Sequence, residues 1–215
     1  MKTIKCLVTA GPTREYFDPV RFISNPSSGK TGVYIAEAAR DAGWQTALVL
    51  GPSPLPDPEG VETLRVVSAQ DMFEACKKKF PECDILIMSA AVSDVRPKRA
   101  LAHKAKKDEI DLNPELERTP DILFELSKRK GGKILVGFAA ETRDILGYAR
   151  EKMLRKNLDA IVANDVGAEG CGFASDDNGI TVITRGGEVF DFKKAPKREL
   201  AKKLVDFLSE RFFRP

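Results

Sequence analysis

Apolar positions along this chain fall into short runs separated by stretches with helical spacing. Residues 4–9 form a β-rich run that stops at Ala10-Gly11-Pro12, as a buried first strand entering a tight loop would. From Gly32 to Ala42 small and apolar residues recur at helical intervals and end at Gly43, a residue suited to a C-terminal cap. Residues 47–50 then read as a second strand closing at Gly51-Pro52, so the chain opens with a βαβ unit whose first connection is long. After the Pro-rich stretch 52–58, residues 61–67 predict a strand, Ala69–Lys79 a helix and Ile85–Met88 an apolar strand. The theme repeats with a helix near 121–130, a strand over 134–138, a helix near 145–156 and a strand over 160–163. Strands alternating with helices imply parallel pairing through right-handed crossovers. The expected fold is therefore α/β: a doubly wound, mostly parallel, Rossmann-like sheet built as a single domain over residues 1–215.

Two segments break the alternation. Residues 179–184 and 188–190 flank Arg185-Gly186-Gly187 and read as a C-terminal hairpin near a sheet edge, after which Lys197–Phe212 forms an amphipathic helix with Leu200, Leu204, Phe207 and Leu208 on one side. Residues 93–118 fit neither pattern. Connections of that length in compact domains usually serve function, so this one is expected to be a mobile, substrate-covering loop at the active site.

Composition narrows the class of protein. Apolar residues make up 42% and charged residues 31%, the balance of an ordinary globular body. The N-terminal stretch lacks a signal-peptide cleavage pattern, and no apolar segment approaches the roughly 20 residues that span a bilayer. The expectation is a soluble, cytoplasmic chain without a membrane partner. Cys6, Cys76, Cys83 and Cys171 show no CxxC spacing and His103 is the sole histidine, which argues against a zinc site and for reduced structural thiols. With 35 basic and 32 acidic residues the net charge is only +3, a weak basis for nucleic-acid binding, and none is expected. The charge is locally uneven, however: Lys98, Arg99, His103, Lys104, Lys106 and Lys107 all lie in the long loop.

Open α/β sheets bind ligands beyond the carboxyl ends of their strands. Four such ends carry small or polar residues here: 9–14, 89–94, 137–141 and 163–165. Between the first strand and first helix runs Arg21-Phe22-Ile23-Ser24-Asn25-Pro26-Ser27-Ser28-Gly29-Lys30-Thr31-Gly32, whose Ser27, Ser28 and Gly29 stand where helix amides can hold phosphate oxygens. The alternative is that Ser28 only caps the helix. Gly29-Lys30-Thr31 imitates the end of a Walker A motif, but Ser24 stands where that motif needs glycine, and no G-x-G-x-x-G follows the first strand. Arg21 offers a planar fork to a carboxylate or phosphate, and Asn25 an uncharged donor and acceptor; an ion pair and an Asx-turn are their structural alternatives. Lys104 and its neighbours could cover a polyphosphate or stabilise charge growing at an acyl centre. Asp94 and Asp121 could orient a sugar hydroxyl, assist a divalent metal or cap local structure.

These blocks resemble the phosphopantothenoylcysteine synthetases of coenzyme A biosynthesis. The likeness runs through TAGPTREYFDPVRFISNPSSGKTG, SAAVSDVRP, KAKK, TPDIL, VGFAAET, RKNLDAIVANDV and GFASDDNGITVI in the family's order, and so covers nearly the whole chain. The resemblance, closer to the bacterial than the eukaryotic form, implies a ligase that activates 4′-phosphopantothenate with CTP and Mg²⁺. It would release pyrophosphate, form an acyl-cytidylate and pass the acyl group to L-cysteine with loss of CMP. It also implies a homodimer with active sites near the subunit interface and a possible decarboxylase partner. Because the flavin belongs to that decarboxylase, FMN is not expected here. A non-catalytic nucleotide-binding or assembly module of the same fold is the alternative.

By motif, the resemblance assigns catalysis to Asn25 and Lys104, and phosphopantothenate binding to Arg21, Asn25 and Ala91. It assigns the nucleotide to Gly11, Ser27, Ser28, Gly29, Asp94, Lys104, Pro120 and Asp121, with Phe138 and Ala139 at the base and Lys152 and Lys156 at phosphates. Asn164 is a weaker candidate, and no metal ligands are assigned. The family loop often places Pro-Glu before its first functional lysine where Ala102-His103 stands here, which makes Lys106 the second position for that role.

Overall fold

A computed structural model describes residues 3–141, 144–165 and 176–214. In chain order the elements are β1 (Lys5–Ala10), β2 (Arg14–Tyr16), β3 (Phe22–Ser24), α1 (Lys30–Asp41), β4 (Gln45–Leu50), β5 (Glu62–Arg65), α2 (Ala69–Lys79) and β6 (Ile85–Met88). They continue as β7 (Val95–Pro97), β8 (Leu116–Arg118), α3 (Ile122–Ser127), β9 (Ile134–Glu141), α4 (Ile145–Arg155), β10 (Ala160–Asp165), β11 (Asp177–Thr184), β12 (Val189–Pro196) and α5 (Lys197–Phe212). One eight-stranded sheet has the order β12-β11-β10-β9-β6-β1-β4-β5. The six strands from β5 to β10 pair in parallel and β11 and β12 join antiparallel, which is the doubly wound, mostly parallel arrangement that the alternation of elements predicts.

The order follows from burial. All four residues of β6 and the last five of β1 are buried, so these central strands must be covered on both faces. One face packs Val33, Ile35, Ala36 and Ala39 of α1 together with Leu200, Leu204, Val205 and Leu208 of α5. The other packs Met72 and Cys76 of α2, Ile122, Leu123 and Leu126 of α3, and Ala149 and Met153 of α4. Three cysteines belong to this interior, and burial pushes the Cys76 thiol up to about 12 and that of Cys83 to about 11; both stay protonated, as structural thiols do. Cys171 lies outside the described residues.

Several expectations change in detail. The segment from 93 to 118 begins and ends on a two-stranded antiparallel ribbon, with Val95 opposite Arg118 and Pro97 opposite Leu116. A second ribbon, β2 with β3, occupies the long first connection. Both escape detection because three residues give no measurable alternation. The helix near 121–130 is shorter, Ile122–Ser127, and the strand that begins at 134 runs on to Glu141. The hairpin does lie at an edge: β12 is the outermost strand, and its exposed Lys193 and Lys194 suit a position that must not recruit another sheet. Among the described residues no helix is long and apolar enough to cross a membrane.

Candidate functional site

Between β1 and β6 the chain reverses its direction of travel across the sheet, and at such a switch point the loops leaving neighbouring strands diverge and open a crevice. Here the two loops are first stitched together. Thr9 Oγ1 accepts from the Ala90 amide at 3.2 Å, Ser89 Oγ donates to the Thr9 carbonyl at 2.8 Å, and the Ala91 amide donates to the Gly11 carbonyl at 2.9 Å. Asn25 then ties the end of β3 to the same loop, its Nδ2 donating to the carbonyls of Ala91 and Val92 at 3.1 Å each. Its Oδ1 has no hydrogen-bond partner among the described residues.

A cleft of about 550 Å³ lies over this switch point, within the range of ordinary small-molecule sites. Helix α1 points its N-terminus into it. The residue before the helix is Gly29, at φ 83°, and no side chain caps the helix; Ser28 Oγ only approaches the Lys30 amide at 3.4 Å, so capping by Ser28 is not the arrangement found. The first-turn amides thus lack strong intramolecular partners and keep their capacity for an anion. Gly32 explains how the helix comes so close: a Cβ there would stand 2.5 Å from both Ala10 Cβ and Ser89 Oγ.

The opposite wall is made by the α3 and α4 side of the sheet. Asp121 caps α3, its Oδ1 accepting from the Phe124 amide at 3.1 Å, and the same oxygen accepts from Lys156 Nζ at 2.7 Å. Lys152 Nζ donates to the Phe138 carbonyl at 2.7 Å, which fixes the end of β9 against α4. Thr119 bridges to the first wall, its Oγ1 donating to the Ser93 carbonyl at 2.5 Å and its amide to the Asp94 carbonyl at 3.1 Å.

Most residues chosen from sequence converge on this cleft. Gly11, Asn25, Ser27, Ser28 and Gly29 line it from the β1–α1 connection, Ala91 and Asp94 from the loop after β6, Pro120 and Asp121 from just before α3, Phe138 and Ala139 from β9, and Lys152 and Lys156 from α4 and its C-terminal end; Asn164 lines it too. Arg21 and Lys104 do not line it. The Arg21 Nη1 pairs with Asp18 at 2.6 Å and the guanidinium reaches the Ala105 carbonyl at 3.3 and 3.4 Å, while Lys104 and Lys106 are exposed on the same segment. Of the sequence blocks, Thr142, Val166 and residues 172–175 lie outside the described residues.

Sequence reasoning passed over Lys30 and Lys197 as site residues. Lys30 lines the cleft and forms an ion pair with Asp176. Lys197 lines it from the first turn of α5 at 5% exposure; burial lowers its pKa and the nearby Asp176 opposes that shift. Lys30 could have been found, since it follows the Ser-Ser-Gly turn directly. Lys197 gives no local signal, being brought in from the far end of the chain. Asn164 lines the cleft as well, and its buried Oδ1 has no hydrogen-bond partner among the described residues.

Among the described residues no three His, Cys, Asp or Glu side chains converge as a metal cage. Among the described residues the carboxylates that line the cleft are those of Asp94 and Asp121. Such a set suits a hydrated divalent ion carried by phosphate oxygens and touched by these carboxylates.

Comparison with known proteins accords with this geometry. A sequence profile for the C-terminal domain of the DNA/pantothenate metabolism flavoproteins matches residues 1–212. The coenzyme A biosynthesis bifunctional protein CoaBC of Bacillus subtilis is 50% identical over 195 residues, 90% of this chain and 46% of that protein. Its Escherichia coli counterpart is 41% identical over 192 residues, 87% of this chain and 47% of that one. The chain therefore spans about half the length of these curated relatives. The crystal structure of the C-terminal domain of a CoaBC protein superimposes with a TM-score of 0.83 at 40% identity, covering 98% of this chain and 96% of that one. A fold, a switch-point cleft and a sequence match that extend over nearly all residues lead to one assignment: the chain belongs to the DNA/pantothenate metabolism flavoprotein C-terminal domain family.

Proposed function

We propose that this chain joins 4′-phosphopantothenate to L-cysteine, with CTP as the activating nucleotide. The observation that carries the reading is the shape of the cleft, in which an uncapped helix N-terminus, the Asn25–Ala91 bridge and the Lys152, Lys156 and Asp121 group share one volume. Two steps need that proximity. A carboxylate oxygen of phosphopantothenate attacks the α-phosphorus of CTP, the bond to the β-phosphate breaks, and pyrophosphate leaves. The cysteine amine then attacks the acyl carbon, the bond to the phosphate oxygen breaks, and CMP leaves with the electron pair while the amine's proton passes to solvent.

Neither step requires a nucleophile from the protein; both require reactants held in register and donors placed where charge grows. Ser27, Ser28 and Gly29 would receive phosphate oxygens, Lys152 and Lys156 would balance their charge, and Phe138 with Ala139 would flank the base. Asn25 would present its Oδ1 to the acyl intermediate because its Nδ2 is already engaged. Asp94 and Asp121 would hold a Mg²⁺ brought in with the triphosphate, and that ion would supply charge neutralisation for pyrophosphate departure. Lys104 or Lys106 would act on the activated carboxyl once the basic segment reaches a cleft. The reading includes a homodimer and a decarboxylase partner, linked or separate, and gives this chain no FMN.

The test is to withhold cysteine. Protein, 4′-phosphopantothenate, CTP and Mg²⁺ should accumulate a phosphopantothenoyl-cytidylate detectable by mass, with pyrophosphate in equal amount. CTP binding without either product would leave only a non-catalytic nucleotide-binding module.

A further inference from the structure

Asp18 sits in the turn between β2 and β3, far in sequence from the basic segment, and is 3% exposed. A buried carboxylate must be satisfied by donors, and this one has four. Its Oδ1 accepts from the amides of Val20 and Arg21 at 2.8 and 2.9 Å, and its Oδ2 from Arg21 Nη1 at 2.6 Å and the Ala105 amide at 3.4 Å. The Arg21 guanidinium, so held, turns its fork on the Ala105 carbonyl. Both polar groups of one residue in the basic segment are thereby taken by the Asp18–Arg21 pair. A nearby backbone bond, from the Leu101 amide to the Phe17 carbonyl at 2.7 Å, docks the same segment to the same turn. Lys104 is the immediate neighbour of the pinned residue.

We propose that Asp18 is a positioning residue for the basic segment: through Arg21 it fixes the peptide of Ala105 and so sets where Lys104 and Lys106 stand. The inference rests on the functional reading above only for what those lysines do. Arg21 gains a second part in the molecule, because a fork occupied by a backbone carbonyl couples the segment to any anion that competes for the guanidinium. Replacing the carboxylate by an amide keeps an acceptor for Val20 and Arg21 backbone amides but removes the charge that orients the guanidinium.

Amide hydrogen exchange over residues 99–113, measured on the whole protein without ligand, reads this directly. In Asp18→Asn exchange should quicken about tenfold, the scale of losing one or two hydrogen bonds, while peptides of β1 and β6 stay unchanged. Unaltered exchange over 99–113 in a folded Asp18→Asn protein would overturn the proposal and leave Asp18 a part of its own turn only. If Asp18→Asn does not fold, Arg21→Lys takes its place: it keeps a cation beside Asp18 yet loses the fork on Ala105, and the same two outcomes apply. Turnover gives the second arm. Asp18→Asn should lower kcat with the KM for CTP within about twofold, and Asp18→Asn combined with Lys104→Gln should be no slower than Lys104→Gln alone. Multiplying losses would contradict action through Lys104. A wild-type protein that ligates nothing would sink the proposed function and leave the exchange result standing.

Discussion

Asn25→Asp perturbs the bridge on which the cleft rim depends. The Nδ2 that donates to Ala91 and Val92 at 3.1 Å becomes an anionic oxygen facing two carbonyls. Two hydrogen bonds at about 0.5–1.5 kcal/mol each set an upper loss of about 3 kcal/mol. Asn25 is exposed, so the new carboxylate can turn to water, and the expected loss is about 1 kcal/mol, a fall in Tm of about 2–4 °C for a chain of this size. The catalytic loss should exceed this. The rim would no longer hold the loop that follows β6 against β3, and a negative charge would stand where the acyl phosphate forms. Formation of the acyl-cytidylate, followed by quenched mass measurement, should slow at least tenfold, about 1.4 kcal/mol of barrier. Wild-type rates in both half-reactions together with an unchanged Tm would refute the bridge as a functional feature.

Three further outcomes are expected. Gly32→Ala should lower Tm in a melting experiment, because overpacking against Ala10 and Ser89 at about 1–3 kcal/mol outweighs the about 1 kcal/mol gained in helix propensity; a higher Tm would contradict the close approach. Lys104→Gln should reduce ligation sharply while CTP affinity, measured by calorimetry, changes little, and full turnover would move the role to Lys106. Burial alone would raise the Asp18 carboxyl, but hydrogen bonds from Val20, Arg21 and Ala105 together hold it below its usual value; a side-chain bond from Lys30 does the same for Asp176. The unfolded chain then binds more protons near pH 4, so these carboxylates stabilise the fold above about pH 4 and lose that contribution as pH falls through their lower folded values. Asp18→Asn should accordingly show a shallower fall in Tm between about pH 5 and pH 3 than the wild type.

The central sheet was readable because its strands are buried on both faces: residues such as Ile85, Leu86 and Ile87 form runs too apolar for any other place. Helix α5 was readable from Leu200, Leu204 and Leu208 falling on one side. The ribbons β2–β3 and β7–β8 were not, since their pairing is decided by tertiary contacts of three residues each. Strand β12 runs further than its pattern suggests because an edge strand alternates weakly; Phe190 and Phe192, packing on Phe207, mark its inner side together with Ala195. The site divides the same way. Strand-end residues announced themselves because a small residue after an apolar run has few other reasons to be there, and Gly32 shows what that smallness permits. The place of Arg21 and Lys104 could not be read, since it depends on how a long excursion docks against a turn more than eighty positions earlier in the chain.

The central claim is tested most directly by a complete reaction followed by mass: purified protein with 4′-phosphopantothenate, L-cysteine and Mg²⁺, supplied in parallel with CTP or ATP. The account predicts phosphopantothenoylcysteine, CMP and pyrophosphate in equal amounts in the CTP reaction and far less product with ATP. Product with ATP alone would contradict the nucleotide assignment, and absence of ligation with either nucleotide in a folded protein would contradict the ligase itself.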